Sequence, residues 1–430
     1  MALITKKPRG TEDLLPRDSY RWQFMEKLFH EEARAFGYQE IRTPVFEHTE
    51  LFERGVGGTT DVVQKEMYTF VTKGGDSITL RPEGTAGAAR AFLEHGLHND
   101  PLPIKVFYFS SCYRYEKPQA GRLREFHQFG MECYGTQNPA ADAELITAAS
   151  NIFERMGLKN IRLEINSIGC PKCRAEYHKA LTEYFSQYKD DLCEDCRDRL
   201  ERNPMRLLDC KVPHDHEIAK GAPTVLDYLC DECREHFDSV KGYLDANGVA
   251  YTVNPTIVRG LDYYTKTVFE FISDDIGAQS TICGGGRYDG LIEELGGNPM
   301  PALGFATGLE RLLMTLDAQG IEIPEPDPCD IYIGSMGEDA HKKAGALVNT
   351  LRKAGLYAEY DVVGRGLKAQ MKYANKLGAR FSMVLGDDEI ANGTAKLKHM
   401  DSGEQREISL DGDEFIREFT AAKIEEEFKE

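Results

Sequence analysis

The stretch that decides the fold runs Ile104-Lys-Val-Phe-Tyr-Phe-Ser-Ser-Cys-Tyr-Arg-Tyr-Glu116, then Lys117-Pro-Gln-Ala-Gly-Arg-Leu-Arg124, then Glu125-Phe-His-Gln-Phe-Gly-Met-Glu-Cys-Tyr-Gly135. Two β-rich runs around a segment with Pro118 and Gly121 predict a long hairpin. Side chains alternate across a strand, so Gln128, Gly130 and Glu132 share one face and Phe129, Met131 and Cys133 the other. Arg114 and Glu116, two apart, also share a face. Polar groups flanking a glycine, opposite an apolar face, read either as a floor with room for a ligand over Gly130 or as a half-exposed hairpin with a solvated face. The cations Lys117, Arg122 and Arg124 of this loop suit phosphate contact, though solvated loop charge is the commoner outcome.

Outward from this hairpin, Trp22, Met25, Leu28, Phe29 and Phe36 recur at helical spacing and predict a helix over 18–36. A strand over 38–44, ending at Pro44, follows Gly37. From Gly169 to Gly248 the chain is charged, helical in pattern and holds seven of the 11 cysteines. Strand-like sequence returns over 249–254, 256–272 and 279–283, and 301–316 reads as a glycine-rich strand running into a helix. Ile323-Pro-Glu-Pro-Asp-Pro328 is a stiff linker. Beyond it, strands over 330–334, 357–360 and 381–385 alternate with helices over 341–354 and 367–377, predicting a small, mostly parallel sheet with covering helices. The tail from Lys423 reads as frayed. The expected division is therefore 1–168 and 249–322 as one β-rich domain, 169–248 as a helical insertion, 323–328 as linker and 329–430 as a second domain.

The chain has 430 residues and a net charge of −19, so a polyanion would have to be met by a local basic patch. No apolar run approaches the length of a membrane span, and the start, Met1 to Gly10, has no apolar run after its basic residues. The expectation is a cytoplasmic protein without membrane contact, its cysteines thiols or metal ligands. There is no G-x-x-x-x-G-K-[ST] loop, no G-x-G-x-x-G after a strand, no H-E-x-x-H and no G-x-S-x-G. If the chain uses ATP, arginines on a sheet must hold the phosphates.

Three further stretches carry charge beside glycine: Arg81-Pro-Glu-Gly-Thr85, Arg259-Gly-Leu-Asp-Tyr-Tyr264 and Gly284-Gly-Gly-Arg-Tyr-Asp-Gly290. Thr85 also reads as a plain helix N-cap, and a glycine triplet as a plain turn. In Gly304-Phe-Ala-Thr-Gly308 and Leu309-Glu-Arg311, Arg311 falls in the first turn of a helix, where a cation gains nothing from the helix dipole. Such a local conflict is what an anion-binding task produces.

Together these segments resemble the class II aminoacyl-tRNA synthetases, and most closely the histidyl-tRNA synthetase family. The helix and strand ending at Pro44 look like motif 1, Tyr113 to Gln128 like motif 2, and Gly304 to Arg311 like motif 3. The Arg259–Tyr264 and Gly284–Gly290 stretches resemble the two signatures peculiar to the histidine enzyme. The resemblance implies an α+β catalytic domain built on an antiparallel sheet, a helical insertion, a C-terminal α/β anticodon-binding domain and a homodimer joined through motif 1. It implies that L-histidine and ATP give histidyl-adenylate and pyrophosphate, and that histidine then passes to the 3′ end of tRNA(His). By the same resemblance Arg114 holds the α-phosphate and carboxylate, Glu116 lies near adenine, Arg311 takes the γ-phosphate with help from Arg122, and Arg259 faces the α-phosphate, with Mg²⁺ bridging the β- and γ-phosphates. Glu83, Gly84, Thr85 and Gln128 would bind the histidine amino group; Glu132 and Tyr264, with Tyr263 alongside, its imidazole. Gln119 lies in the loop expected to meet the tRNA acceptor end.

Lys368, Lys372, Lys376 and Arg380 recur at i+4 and line one face if the helix persists, either as a solvated face or as the tRNA-binding patch that the resemblance implies. Cys170, Cys173, Cys193 and Cys196 form C-x2-C-x19-C-x2-C, a generic structural zinc spacing. Cys230 and Cys233 add a third pair, with Cys210, His214 and His216 between; six paired thiols exceed one four-ligand site, and spacing alone does not choose four. Two other readings compete: the regulatory subunit that partners ATP phosphoribosyltransferase, and a class II synthetase for proline, threonine or glycine. The domain after Pro328 argues against the first, and the Arg259–Tyr264 stretch against the second.

Overall fold

A computed structural model describes residues 4–57, 60, 62–208, 210, 212–257, 261 and 263–428. Arg259, Gly260 and Asp262 lie outside the described residues. Two compact units divide at Met1–Pro324 and Glu325–Glu430.

The first unit is organised by an eight-stranded sheet. In spatial order its strands are Gln39–Glu40, Ile104–Tyr113, Glu125–Tyr134, Ala302–Gly308, Thr281–Arg287, Thr265–Ser273, Ile161–Ser167 and Thr252–Val253. The six inner strands pair antiparallel, and each edge strand is parallel to its neighbour. The expected hairpin is there, with Phe129 opposite Phe109 and Gly130 opposite Tyr108. One face carries Phe107, Phe129, Met131, Cys133, Phe269, Phe271, Leu303 and Phe305 into a core covered by helices Ser19–Ala35, Pro139–Arg155, Asp231–Ala246 and Leu309–Ala318. Burying such side chains is the main favourable term in the fold.

Several boundaries differ from expectation. Arg114 and Glu116 stand just beyond the strand, which ends at Tyr113. The strand expected over 38–44 shrinks to Gln39–Glu40, a parallel edge entered through Gly37 at φ +78° and leading toward Pro44, which has no N–H to donate. The strand expected over 256–272 begins at Thr265. Helix Asp231–Ala246 closes the cysteine-rich stretch, yet its Phe237, Val240 and Leu244 are buried in the main core beside helix Pro139–Arg155.

The second unit holds a five-stranded sheet, ordered Ala358–Tyr360, Ile331–Ser335, Phe381–Leu385, Thr394–His399 and Gln405–Ser409. The first three strands are parallel, as expected, but the last two are antiparallel, so the sheet is mixed. The return is a hairpin turned at Gly403, φ +73°, whose alternation is masked by charge in Thr394-Ala-Lys-Leu-Lys-His399. The tail is not frayed from Lys423. Helix Gly412–Glu427 buries Phe415, Phe419 and Ala422 and sets the Lys423 ammonium 2.8 Å from Asp330. Among the described residues no helix is long and apolar enough to cross a membrane.

Arg287, inside the glycine-rich signature, is fully buried on the core side. It hydrogen-bonds the Thr136 carbonyl at 2.7 Å, both carboxylate oxygens of Asp142 and Asp289, and His236 faces the same Asp142. A buried ion pair that loses one partner strands a charge, at a cost of about 3–5 kcal/mol. Arg287→Ala should therefore lower unfolding stability by about that much in urea titration; a loss under 1 kcal/mol would show that the network is dispensable.

Candidate active site

The face opposite the core is floored by residues with little or no side chain. Gly130, Ala306 and Gly284 lie in register across three adjacent strands, and Glu132, Gly304 and Gly286 form the next row. A methyl group at Gly304 would sit 1.7 Å from the Glu132 carboxylate, and one at Gly130 or Gly84 would strike the Tyr108 ring at 2.3 or 2.2 Å. The space over Gly130 is thus filled by Tyr108 from the neighbouring strand, and the open space lies further across the sheet.

Two cavities share this floor. One, of about 190 Å³, is lined by Glu83, Thr85, Arg114, Gln128, Leu261, Tyr263, Tyr264, Gly284 and Gly304 among others. The other, of about 210 Å³, is lined by Arg114, Glu116, Arg122, Phe126, Gln128, Gly284, Ala306 and Arg311 among others. Arg114, Gln128, Gly284 and Ala306 belong to both linings, so the two spaces adjoin.

The second cavity is cationic. Arg114 donates to the Pro82 carbonyl at 2.9 Å and lies over the Phe126 ring at 5.3 Å. Arg311, in the first turn of helix Leu309–Ala318, donates to the carbonyls of Gly121 at 3.1 Å and Thr281 at 2.7 Å. These bonds aim guanidinium groups where a helix start would not favour them. Burial, then the neighbouring charges of Arg122 and Arg114, push the Arg311 guanidinium down in basicity. Glu116 partly offsets the charge, with its carboxylate 2.6 Å from Arg122 and 3.9 Å from Arg114. Gln119 lies exposed at the loop tip, bridged to Arg122 through paired backbone bonds.

The first cavity rests on two buried carboxyl groups. Glu83, not Thr85, caps helix Thr85–Glu94, accepting the amide N–H groups of Thr85 at 2.7 Å and Ala86 at 2.8 Å; the N-cap position itself is Gly84. Glu132 lies just behind the lining. Its Oε1 accepts from Thr85 Oγ1 at 2.7 Å and the Tyr108 hydroxyl at 2.9 Å, and its Oε2 takes the Tyr288 hydroxyl. Oε2 is also the oxygen pressed against Gly304, which lies in the cavity lining. Burial pushes the Glu132 carboxyl up to about 8, against the pull of its three hydroxyl partners. Tyr263 and Tyr264, also in the lining, have ring centroids 4.7 Å apart with planes tilted by 49°.

Tyr108 and Tyr288, which hold Glu132, were not singled out by the sequence; a bulky residue directly across from a strand glycine was the available signal. Nor were Arg174, whose guanidinium bonds the Tyr264 carbonyl at 3.1 Å, or Lys266, in the left-handed region at φ +50° with its ammonium 2.9 Å from Glu232. Away from the sheet, Lys368, Lys372 and Lys376 project from helix Leu367–Lys376 as one exposed face. Arg380 does not continue it: the helix ends before Gly378, φ +69°, and Arg380 pairs with Asp327 at 3.3 Å. The cysteines divide differently from the C-x2-C-x19-C-x2-C spacing. Cys170 and Cys173 meet Cys230 and Cys233, while Cys193 and Cys196 meet Cys210 and Asp215.

A family model described as histidyl-tRNA synthetase matches residues 10–312, and one described as an anticodon binding domain matches residues 330–420. A curated protein of Acetivibrio thermocellus, named histidine–tRNA ligase, is 55% identical over 95% of this chain and 98% of its own length. Its namesake in Clostridium novyi is 58% identical over 95% of this chain and 97% of its own. The crystal structure of apo histidyl-tRNA synthetase from S. aureus matches with a TM-score of 0.82 at 41% identity, over 96% of this chain and 100% of that one.

With Glu132 raised from 4.5 to about 8, the folded chain holds a proton between those values that the unfolded chain has released. Stability from this group therefore falls as pH rises through that window. Glu132→Gln removes the titration, so the unfolding temperature of the parent relative to the variant should drop between pH 5 and pH 8. A difference that does not change with pH would contradict a carboxyl so raised.

Proposed function

The chain belongs to the histidyl-tRNA synthetase family, and we propose that its two adjoining cavities divide that family's reaction between them. It is an ATP-dependent ligase: histidine and ATP give histidyl-adenylate and pyrophosphate, and the histidyl group passes to tRNA(His). Its architecture is a class II catalytic domain joined to an anticodon-binding domain.

The observation that carries the division is the shared lining. Arg114 borders both spaces, where the attacking carboxylate and the α-phosphorus must meet. In this reading the arginine-lined cavity takes the triphosphate, with Arg114 on the α-phosphate, Arg311 on the γ-phosphate, Arg122 assisting and Glu116 near adenine. Little covalent chemistry is asked of the protein. It aligns two anions and offsets charge as the carboxylate oxygen bonds phosphorus and pyrophosphate leaves. Arginine suits this through its permanent charge and bidentate fork. Arg259 acts from the opposite side of the α-phosphate. Mg²⁺ would enter with the nucleotide and offset the charge of its phosphates beside Arg114 and Arg311.

The smaller cavity takes histidine. Glu83, Thr85 and Gln128 hold the amino group, with Gly84 in the same site, and the imidazole lies between Glu132 and Tyr264, beside Tyr263. An analogue lacking either ring nitrogen would leave a buried polar group unpaired, which discriminates by about 10⁴ or more without editing. The lysine face of helix Leu367–Lys376 meets tRNA, and Gln119 the acceptor end. The chain acts in the cytoplasm as a homodimer. Exposed Phe46, Phe70 and Val71 on the small sheet of Phe46–His48, Thr69–Val71 and Ser77–Leu80 support an interface there.

In ATP–pyrophosphate exchange run with each of the 20 amino acids, histidine alone should support exchange. Arg114→Ala and Arg311→Ala should each lower its rate about 10²-fold or more. Exchange with another amino acid, or full activity in either variant, would refute the assignment. Reversing Lys372 and Lys376 together to Glu should weaken tRNA charging, more so at high salt, and spare exchange. Equal loss in both assays would remove the lysine face from tRNA recognition.

A further inference from the structure

We propose that the cysteine-rich stretch holds two zinc ions in separate sites: one bound by Cys170, Cys173, Cys230 and Cys233, the other by Cys193, Cys196, Cys210 and Asp215. In each set the four ligand atoms all lie within 4.8 Å of one another. Sulfur separations are 3.6 Å for Cys170–Cys173, 4.0 Å for Cys170–Cys230 and 4.0 Å for Cys193–Cys210, and Cys210 Sγ is 3.4 Å from Asp215 Oδ2. A tetrahedral zinc with Zn–S near 2.3 Å sets S···S edges at about 3.8 Å, and one oxygen ligand shortens its S···O edges slightly. A disulfide would bring two sulfurs to about 2.05 Å, and the seven cysteines of this stretch are in none.

The local structure explains why each pair converges. Cys170, Cys193 and Cys230 are N-cap residues of helices Pro171–Ser186, Glu194–Arg202 and Asp231–Ala246, and Cys173, Cys196 and Cys233 lie in the first turns. A C-x2-C pair there points both sulfurs at the positive end of the helix, which favours thiolates. None of the three N-cap side chains takes the usual capping hydrogen bond. Two such helix starts face each other in the first site, and Cys230 N–H donates to Cys173 Sγ at 3.1 Å.

The second site has one C-x2-C helix start and is completed by Cys210 and by Asp215, in the first turn of the short helix Pro213–Ala219. Asp215 is 2% exposed, whereas its neighbours His214 and His216 are exposed, so the carboxylate and not an imidazole turns inward. It also accepts the Cys193 amide N–H at 3.2 and 3.3 Å, which fixes its orientation as an outer-shell bond does for a metal ligand. Four protein ligands fill each tetrahedron, the mark of a structural site. The first closes a loop of 60 residues between Cys170 and Cys230. From its two helix starts Arg174 and Glu232 reach the Tyr264 carbonyl and Lys266.

The test is elemental analysis of the full-length protein purified without chelators, with cobalt(II) replacement as a second readout. Two zinc ions per chain are expected. Asp215→Asn and Cys230→Ser should each lose one and keep the other, and cobalt in Asp215→Asn should give the spectrum of a tetrathiolate site alone. Should Cys230→Ser fail to fold, the parent count and Asp215→Asn still decide. One ion per chain, loss of the same site in both variants or of both ions in either, iron with sulfide, or no metal with all seven thiols open to a thiol reagent would each overturn the proposal.

Discussion

A single buried carboxyl group organises the catalytic face. Glu132 is tied by Thr85, Tyr108 and Tyr288, which come from a helix start, the neighbouring strand and the turn after the glycine triplet. Burying a carboxyl group is costly unless hydrogen bonds replace water, so these three hydroxyls must arrive together. The strands can bring them only because Gly84, Gly130 and Gly304 leave room for the Tyr108 ring and the carboxylate. Gly84, Gly130 and Gly304 are thus a packing requirement of one acidic group, and the smaller cavity is what remains beside it.

The neighbouring cavity solves the opposite problem. A chain of net charge −19 must hold a polyanionic nucleotide. In that cavity Arg114 and Arg311 are anchored by main-chain carbonyls, which orient a guanidinium without neutralising it. Glu116 offsets part of the mutual repulsion. The charge is local, and the sheet that carries it also floors the smaller cavity, so the two spaces share one floor.

Much of this was legible in the sequence. The hairpin, its two faces, the helix carrying Arg311 and the stiff segment before Pro328 all follow from period and turn residues. What was hidden is instructive. Arg287 sits in a signature that reads as functional but serves a buried ion pair, because strand alternation and a bulge after Gly286 turn it to the core. The cysteine spacing invites one four-sulfur set from the first two pairs. Only the packing of helix Asp231–Ala246 against the main core brings Cys230 to Cys170 instead. Arg380 continues an i+4 series that Gly378 physically breaks. In each case the local pattern was real, and contacts distant in sequence chose its meaning.

The central claim, that the arginine cavity and the Glu132 cavity hold the two halves of one reaction, is tested most directly by a crystal structure with a non-hydrolysable ATP analogue and histidinol. The account predicts the triphosphate over Arg114 and Arg311, and the imidazole within hydrogen-bond distance of Glu132 and Tyr264. A nucleotide bound away from Arg114, or an imidazole facing the other cavity, would contradict it.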